Sequence, residues 1–396
     1  MEIRKLQTAQ EWQESSRLAA TAFLHPWNEQ HGETETGTEE CWGCFHESGK
    51  MMACIVTESK HLTFDGKIIP ASEAKAVVSL PEFRGNGNVR NLMDIVLHEF
   101  KKRGDLFALL IPFSLDFYRK YGFELISKNL EQTADIEQFS GFSCRCAVRQ
   151  ADCAEDVSVM KKLYEDFITS KNMVSLKSEA DWEYRGNSEF GKRGWMEEDR
   201  RTYTYIFSNG EPNAYLQFIF LPGPDGPFIG TMKVTKLIYD SPEAFRNVLG
   251  FIYGMRAKLT DICFTLMTPI DLALLLPECN KIERKLKGDT MARVLDVEGI
   301  LLIRQYPQEP GHFSIRIEDM FLPENTGTYQ VAYQNRQAVS VRKTNGTADI
   351  EVTETTFCQL AIGFINLSEA LYKEGTKING NQVTLECIFI KRLVCV

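Results

Sequence analysis

The sequence predicts a mixed α/β (α+β) protein of three units, two of them related to each other. Three observations carry this. The chain has 396 residues, more than a single hydrophobic core supports. A strand–turn–helix opening recurs at an offset of 145 residues: Ile3-Arg4 answers to Val148-Arg149, Glu11 to Asp156, and Leu18 to Leu163. From about residue 286 the texture changes to short alternating strands and one helical stretch. The expected divisions are 1–145, 146–285 and 286–396.

Taken in order, "MEIRK" reads as a strand and "AQEWQESSRLAATAF" as an amphipathic helix, with Leu18, Ala19 and Ala22 at helical spacing. "CWGCFHESGKMMACIVTES" reads as a hairpin turning at "ESGK", and "HLTFDGKIIP" as another turning at Asp65-Gly66. "AKAVVSL" is a strand. In "NVRNLMDIVLHEFKKRG" the residues Val89, Leu92, Met93, Val96, Leu97 and Phe100 share one helical face, and Gly104 stops the helix. "LFALLIPF" reads as a buried strand, and "SLDFYRKYGFELIS" as a short helix running into a strand. The second unit opens with "CAVRQADCAEDVSVMKKLYEDF". Its "GTMKVTKLIYDSPEAFRNVLGFIYGM" parallels the strand-to-helix passage near residue 85, with "DSPEAFRN" where the first has a glycine turn. The third unit has strands at "HFSIRIEDMFL", "GTYQVAYQ" and "QAVSVRKT", a helical stretch at "TFCQLAIGFINLSEALYKEG", and an apolar strand-like tail "TLECIFIKRLVCV".

Composition narrows the class. With 43% hydrophobic and 25% charged residues this is an ordinary globular chain, and no apolar run reaches membrane-spanning length. "MEIRKLQTAQEW" lacks the apolar core of a signal peptide, so a soluble, cytoplasmic protein is expected, with no membrane partner. A formal net charge of −9 argues against nucleic acid as a partner. It suits a cationic one, and it also suits an ordinary mildly acidic cytoplasmic protein. Eleven cysteines are an odd number, and without a signal peptide they read as scattered buried thiols rather than a disulfide framework. Cys41 and Cys44 have the spacing of half a zinc site, but the only other close pair, Cys144 and Cys146, is distant in sequence. No metal is expected.

The stretch "SLPEFRGNGNVRNLM" carries the chemistry. A strand leads through Gly85, Asn86 and Gly87 into a helix. A helix start presents unpaired N–H groups at the positive end of its dipole, and glycine lets the backbone approach a bulky anion. Together these make a cradle for a diphosphate. No G-K-[ST] follows, so this is not a Walker A loop, and the spacing is not that of a Rossmann fingerprint. A plain glycine-rich connection has the same local sequence.

"LPEFRGNG" resembles the acetyl-CoA pyrophosphate loop of the GCN5-related N-acetyltransferases (GNAT), Q/R-x-x-G-x-G/A, read here over Arg84, Gly85, Asn86, Gly87, Asn88 and Val89. Valine replaces the small residue at the last position, as the Eis-type branch tolerates. That branch also has a second, degenerate acetyltransferase domain and a C-terminal domain resembling sterol carrier proteins, whose start "MARVLDVEGIL" resembles. The resemblance therefore spans the chain and implies tandem GNAT folds followed by a sterol-carrier-protein-2-like α+β domain. It implies that Val77, Val78 and Ser79 offer backbone groups to acetyl and pantetheine, that Gly85, Asn86, Gly87, Asn88, Val89 and Arg90 wrap the pyrophosphate, and that Phe113 and Ser114 touch the cofactor again. Tyr118, four residues before Gly122, falls where the family has its general acid. A phenol stays protonated at neutral pH and can protonate the departing thiolate; packing on the sheet is its other reading. Tyr121 falls where the family has a packing aromatic. No first-domain histidine or carboxylate stands out as base; the family uses its terminal carboxylate, here that of Val396. Phe23, Trp27 and Glu29 fall where the family lines its acceptor cavity, or they pack as a loop.

The implied activity is N-acetylation by acetyl-CoA, without a metal, of a small-molecule or lysine-like primary amine such as an aminoglycoside or polyamine. The resemblance implies a homohexamer. Two other readings stay open: a CoA- or lipid-binding regulatory protein without transfer, and acyl transfer to a protein N-terminus.

Overall fold

The computed structural model describes residues 1–24, 39–151, 153–178, 182, 202–224, 226–265 and 270–395. Two compact units emerge. One contains residues 1–127, 172–175 and 289–394; the other contains 128–171 and 176–288 with the chain end.

The first unit opens with strand β1 (Glu2–Lys5) and helix α1 (Ala9–Phe23). A capping box starts α1: Thr8 Oγ1 accepts from Glu11 N, and the Glu11 carboxylate accepts from Thr8 N. Strands β2 (Glu39–Phe45), β3 (Met51–Phe64) and β4 (Lys67–Ser79) form an antiparallel meander. The two-residue turn at Asp65-Gly66 has φ of 51° and 76°, both positive as a type I′ hairpin requires. Helix α2 (Asn88–Lys102) buries Leu92, Met93, Val96, Leu97 and Phe100 of the face its spacing predicted, and leaves Val89 half-buried. Strand β5 (Phe107–Leu110), buried at every residue, helix α3 (Leu115–Arg119) and strand β6 (Glu124–Leu125) follow. Cys41 and Cys44 point to opposite faces of β2, Cys41 toward Leu18 and Val78 and Cys44 toward α2. They are free thiols.

The second unit takes β7 (Lys128–Asp135), β8 (Ala147–Gln150), α4 (Ala154–Ile168), β9 (Thr202–Asn209), β10 (Glu211–Gly223), β11 (Gly226–Tyr239), α5 (Pro242–Gly254), β12 (Leu259–Thr265) and β13 (Glu283–Gly288). Its sheet runs β13-β7-β12-β11-β10-β9-β8. Residues 128–135 thus pair here, ahead of the division expected near residue 145. The echo between the two openings is physical: Arg4 pairs with Glu11 at 2.6 Å, and Arg149 pairs with Asp156 at 2.5 Å.

The remaining elements are β14 (Met291–Val294), α6 (Val297–Ile303), β15 (Gly311–Glu318), β16 (Gly327–Gln334), β17 (Gln337–Thr344), β18 (Ile350–Thr353), α7 (Glu354–Ile362), α8 (Leu367–Ala370), β19 (Lys377–Ile378) and α9 (Gln382–Ile388). Strand β14 leaves this group and enters the first sheet between β5 and β6, giving the order β1-β2-β3-β4-β5-β14-β6. Position for position, this is the order of the second sheet, where β7 takes the place of β14. In both sheets one central contact is parallel, β4 with β5 and β11 with β12. The third sheet is β17-β16-β15-β18-β19.

Two local expectations shift. The helical stretch after residue 354 breaks at Gly363, whose φ of 78° ends α7. The tail expected as a strand begins as α9. Asn381 caps it by accepting from Thr384 N, and Leu385 and Ile388, three residues apart, are its buried positions. A short apolar run has no period long enough to separate the two outcomes. Beyond α9 the chain bridges Asn172 through Val394. Among the described residues no helix is long and apolar enough to cross a membrane.

Candidate active site

A turn of 3-10 helix, Pro81–Phe83, carries the chain from β4 to Gly85 and Gly87, whose φ values of 81° and 77° set the start of α2. Gly87 is the N-cap and has no side chain to satisfy the first N–H groups. Among the described residues, none of the backbone N–H groups of residues 85–90 donates to a protein acceptor. A Cβ added at residue 85 or 87 would meet nothing within 4 Å. N–H groups without a protein acceptor at the positive end of a helix, beside open space at both glycines, fit a diphosphate. Asn88 fastens this turn: its buried side chain donates to Phe83 O at 3.2 Å and accepts from the Cys44 thiol at 3.8 Å. At the matching place in the second unit, Ser241 accepts from Ala244 N and Pro242 removes another N–H. That start has fewer free N–H groups than the start of α2.

Strand β4 pairs with β5 only from Ala71 to Glu73. Past that point the two strands diverge, and residues 74–79 keep β3 as their one strand partner. A bulge places Ala76 and Val77 opposite Ile55, with Ala76 at φ of 42°. Bulges re-aim backbone and side chains locally. Between the opened strands and the glycine turn lies a cavity of about 670 Å³. Val77, Val78, Ser79, Gly85, Gly87, Asn88, Val89, Arg90 and Phe113 line it, all of them expected cofactor residues. Asn86 and Ser114 do not; the Ser114 hydroxyl caps α3 by accepting from Phe117 N at 3.4 Å. Phe23 is on the wall. Trp27 and Glu29 lie outside the described residues. Arg84, the first residue of the motif, is also on the wall; sequence reasoning missed Ala22, Phe83 and Phe117, and the aromatic density of "FYRKYGF" was the available signal for Phe117.

Tyr118 is 3% exposed and is not itself on the wall. Its ring stands edge-on behind two wall residues, 5.5 Å from Phe113 and 5.0 Å from Phe117. Among the described residues its hydroxyl has no recorded hydrogen-bond partner, and burial pushes its phenol well above the ordinary value. Tyr121, expected to pack, does pack edge-on against Phe321 at 5.4 Å, and it also lines the cavity. Burial raises its phenol too, with the Arg90 charge opposing.

Val396 lies outside the described residues. The tail before it is firmly held. Arg392 forms an ion pair with Asp65, Asn172 N donates to Leu393 O at 2.9 Å, and Asn172 Nδ2 donates to Asp65 Oδ1 at 3.1 Å. Asp65 lies in the turn between β3 and β4, at the opposite end of β4 from Ser79.

A second feature escaped sequence reasoning. Glu39, Glu58 and Glu73 stand side by side across β2, β3 and β4, with Lys60 and Lys75 between them. The register puts Lys75 opposite Val56 and Val78 opposite Cys54, so this row shares a face with the cavity wall at Val78. Burial pushes the Glu58 carboxyl up, and Lys60 and Lys75 more than reverse it, holding it below its ordinary value.

Residues 2–126 match the acetyltransferase (GNAT) domain family, and residues 297–393 match the sterol carrier protein domain family. No curated protein matches the sequence. Among solved structures, a probable N-acyltransferase from Enterococcus faecalis V583 is 20% identical over 98% of this chain and 97% of its own, with a TM-score of 0.84. A GCN5-related N-acetyltransferase from Anabaena variabilis is 16% identical over 99% of this chain and 98% of its own, with a TM-score of 0.82. Eis1 from Mycobacterium abscessus is 18% identical over 99% of this chain and 97% of its own, also at 0.82. At these identities the structures establish a shared fold across the whole chain.

Proposed function

We propose that this chain, whose first residues form an acetyltransferase (GNAT) domain, is an Eis-type N-acetyltransferase that moves an acetyl group from acetyl-CoA to a primary amine. The observation that carries this reading is the run of free N–H groups at residues 85–90 opening into the cavity beside the splayed end of β4. Those groups take the CoA diphosphate, with Arg84 and Arg90 adding charge. The backbone of residues 77–79 takes the acetyl and pantetheine end. The amine nitrogen attacks the thioester carbonyl, the C–N bond forms, the C–S bond breaks, and the thiolate takes a proton. Tyr118 is the proton donor in this reading on the resemblance to the Eis type, which has its general acid four residues before the glycine that Gly122 matches. Tyr121 is the second candidate, because it is the tyrosine on the wall itself.

The Val396 carboxylate is proposed as the base that accepts the amine proton, on the resemblance to the Eis type. The acceptor is proposed as a polyamine, aminoglycoside or lysine-like amine. The formal net charge of −9 favours a cation. A homohexameric assembly and a cytoplasmic location belong to the same proposal.

The test is release of free CoA, read with a thiol reagent, from acetyl-CoA and a panel of polyamines, aminoglycosides and lysine- or N-terminus-bearing peptides. Amine-dependent release supports transfer, and the productive acceptor class separates small amines from peptides. Tight CoA binding by calorimetry without release under any acceptor supports a binding protein instead.

A further inference from the structure

The turn that carries Tyr118 is held from behind by an ion pair that no first-domain residue supplies. Arg293 lies on β14 and Asp319 follows β15. Both side chains are 1% exposed. Arg293 Nη2 donates to Asp319 Oδ1 at 2.7 Å and to Oδ2 at 2.5 Å, while Nη1 donates to the Tyr121 carbonyl. Tyr121 N in turn donates to the Tyr118 carbonyl at 3.0 Å, and Phe123 N donates to the same oxygen at 3.3 Å. The guanidinium also fills the space a side chain would need at Gly122, whose φ is 77°.

Asp319 is itself locked. It accepts from Phe321 N at 3.1 Å, from Leu322 N at 2.8 Å and from Asn325 Nδ2 at 3.0 Å. That folds residues 319–325 onto the acetyltransferase core, where Leu322 is fully buried beside α2. The Phe321 ring then receives Tyr121 edge-on and lies 6.0 Å from the Arg90 guanidinium, in reach of both the tyrosine turn and the proposed diphosphate loop.

Burying two charges is costly unless geometry and extra hydrogen bonds repay it, and apolar replacements often serve stability as well. A fully buried pair with one guanidinium arm spent on a carbonyl in the tyrosine turn is therefore better explained by placement than by stability. We propose that Arg293 and Asp319 are positioning residues for the proton donor. On this view the C-terminal third serves catalysis by fixing where Tyr118 stands. The inference rests on the transferase reading above.

A double-mutant cycle tests it. Asp319→Asn keeps the acceptor oxygen and removes the charge. In the wild-type background it lowers kcat about 10- to 100-fold, with KM for acetyl-CoA changed less than about threefold. In a Tyr118→Phe background the same change costs less than about twofold, because there is no donor left to misplace. Equal losses in both backgrounds overturn the proposal. Arg293→Lys provides a second cycle if Asp319→Asn folds poorly by circular dichroism.

A readout without turnover runs in parallel. In 3-fluorotyrosine-labelled protein, the Tyr118 resonance, assigned by its loss in Tyr118→Phe, shifts in Asp319→Asn with CoA bound. It stays in place in the exposed control Glu318→Gln. An unmoved resonance overturns the positioning claim. Failure of the wild-type protein to release CoA with any amine sinks the transferase reading instead, and the fluorine measurement still decides what the ion pair holds.

Discussion

Two tyrosines three residues apart divide the chemistry at the residue scale. Tyr118 is buried behind the wall and Tyr121 is on it. If Tyr118 is the donor, Tyr118→Phe lowers kcat roughly 10²- to 10⁴-fold, the usual worth of a placed acid. Tyr121→Phe then costs under about tenfold; the reverse ranking in steady-state kinetics assigns the role to Tyr121. Because burial raises the Tyr118 phenol, its proton is retained as pH rises. The rate is expected to climb with amine deprotonation and to show no alkaline fall below about pH 10. Adding one glycine after Val396 moves the terminal carboxylate while leaving Arg392 on Asp65. A large fall in kcat with unchanged acetyl-CoA affinity supports that carboxylate as base, and unaltered kcat removes it. The spacing of Tyr118 to Gly122 was legible in the sequence. The aromatic pair standing between Tyr118 and the cavity was not, because it depends on how α3 is turned against β5.

Turns and caps decide what the elements can do. Gly87 is at once the αL residue and the bare N-cap of α2. Gly87→Ala forces a β-carbon into positive φ at about 1–2 kcal/mol and projects it toward the proposed diphosphate. An increase of tenfold or more in the acetyl-CoA dissociation constant by calorimetry is expected, with a small loss of melting temperature. The α1 cap makes a separate, pH-dependent prediction. Arg4, together with the N–H groups of Gln7 and Thr8, holds the Glu11 carboxyl down to about 2. A carboxyl depressed in the folded state stabilises above its ordinary value and loses that contribution as pH falls toward about 2. Between about pH 5 and pH 3 the wild-type melting temperature should fall more steeply than that of Glu11→Gln. Equal slopes would remove Glu11 from the account. The glycine turn and the Asp65-Gly66 hairpin were legible, because each is written in two to four adjacent residues. The α9 helix was not, because its short apolar run has no distinguishing period.

The first sheet of the whole molecule is not made from one continuous stretch of chain. Strand β14, buried at all four residues, fills the gap between β5 and β6. A fragment ending at residue 127 or at 145 lacks it, which leaves β5 with an open apolar edge and removes Met291 and Val294 from the core at roughly 1.5–3 kcal/mol each. Such a fragment is expected to lack a cooperative melting transition and to aggregate, whereas the full chain melts cooperatively. A soluble, cooperatively folded fragment would show that β14 is dispensable. The repeat between residues 3 and 148 made two related units legible. The placement of β7 and β14 was not, since a four-residue apolar strand fits many edges.

By itself the sequence determined the features that short-range chemistry writes: the glycine turn, the Asp65-Gly66 hairpin and the helical faces. Positive φ or a 3.6-residue period needs only neighbours in the chain to be specified. Only the tertiary structure decided which strand closes the first sheet, that Arg293 and Asp319 meet behind the Tyr118 turn, and that a row of glutamates shares the face of the cavity. Those outcomes join residues far apart in the chain. They are selected by which open edge and which buried partner each segment finds, and no local pattern encodes that choice.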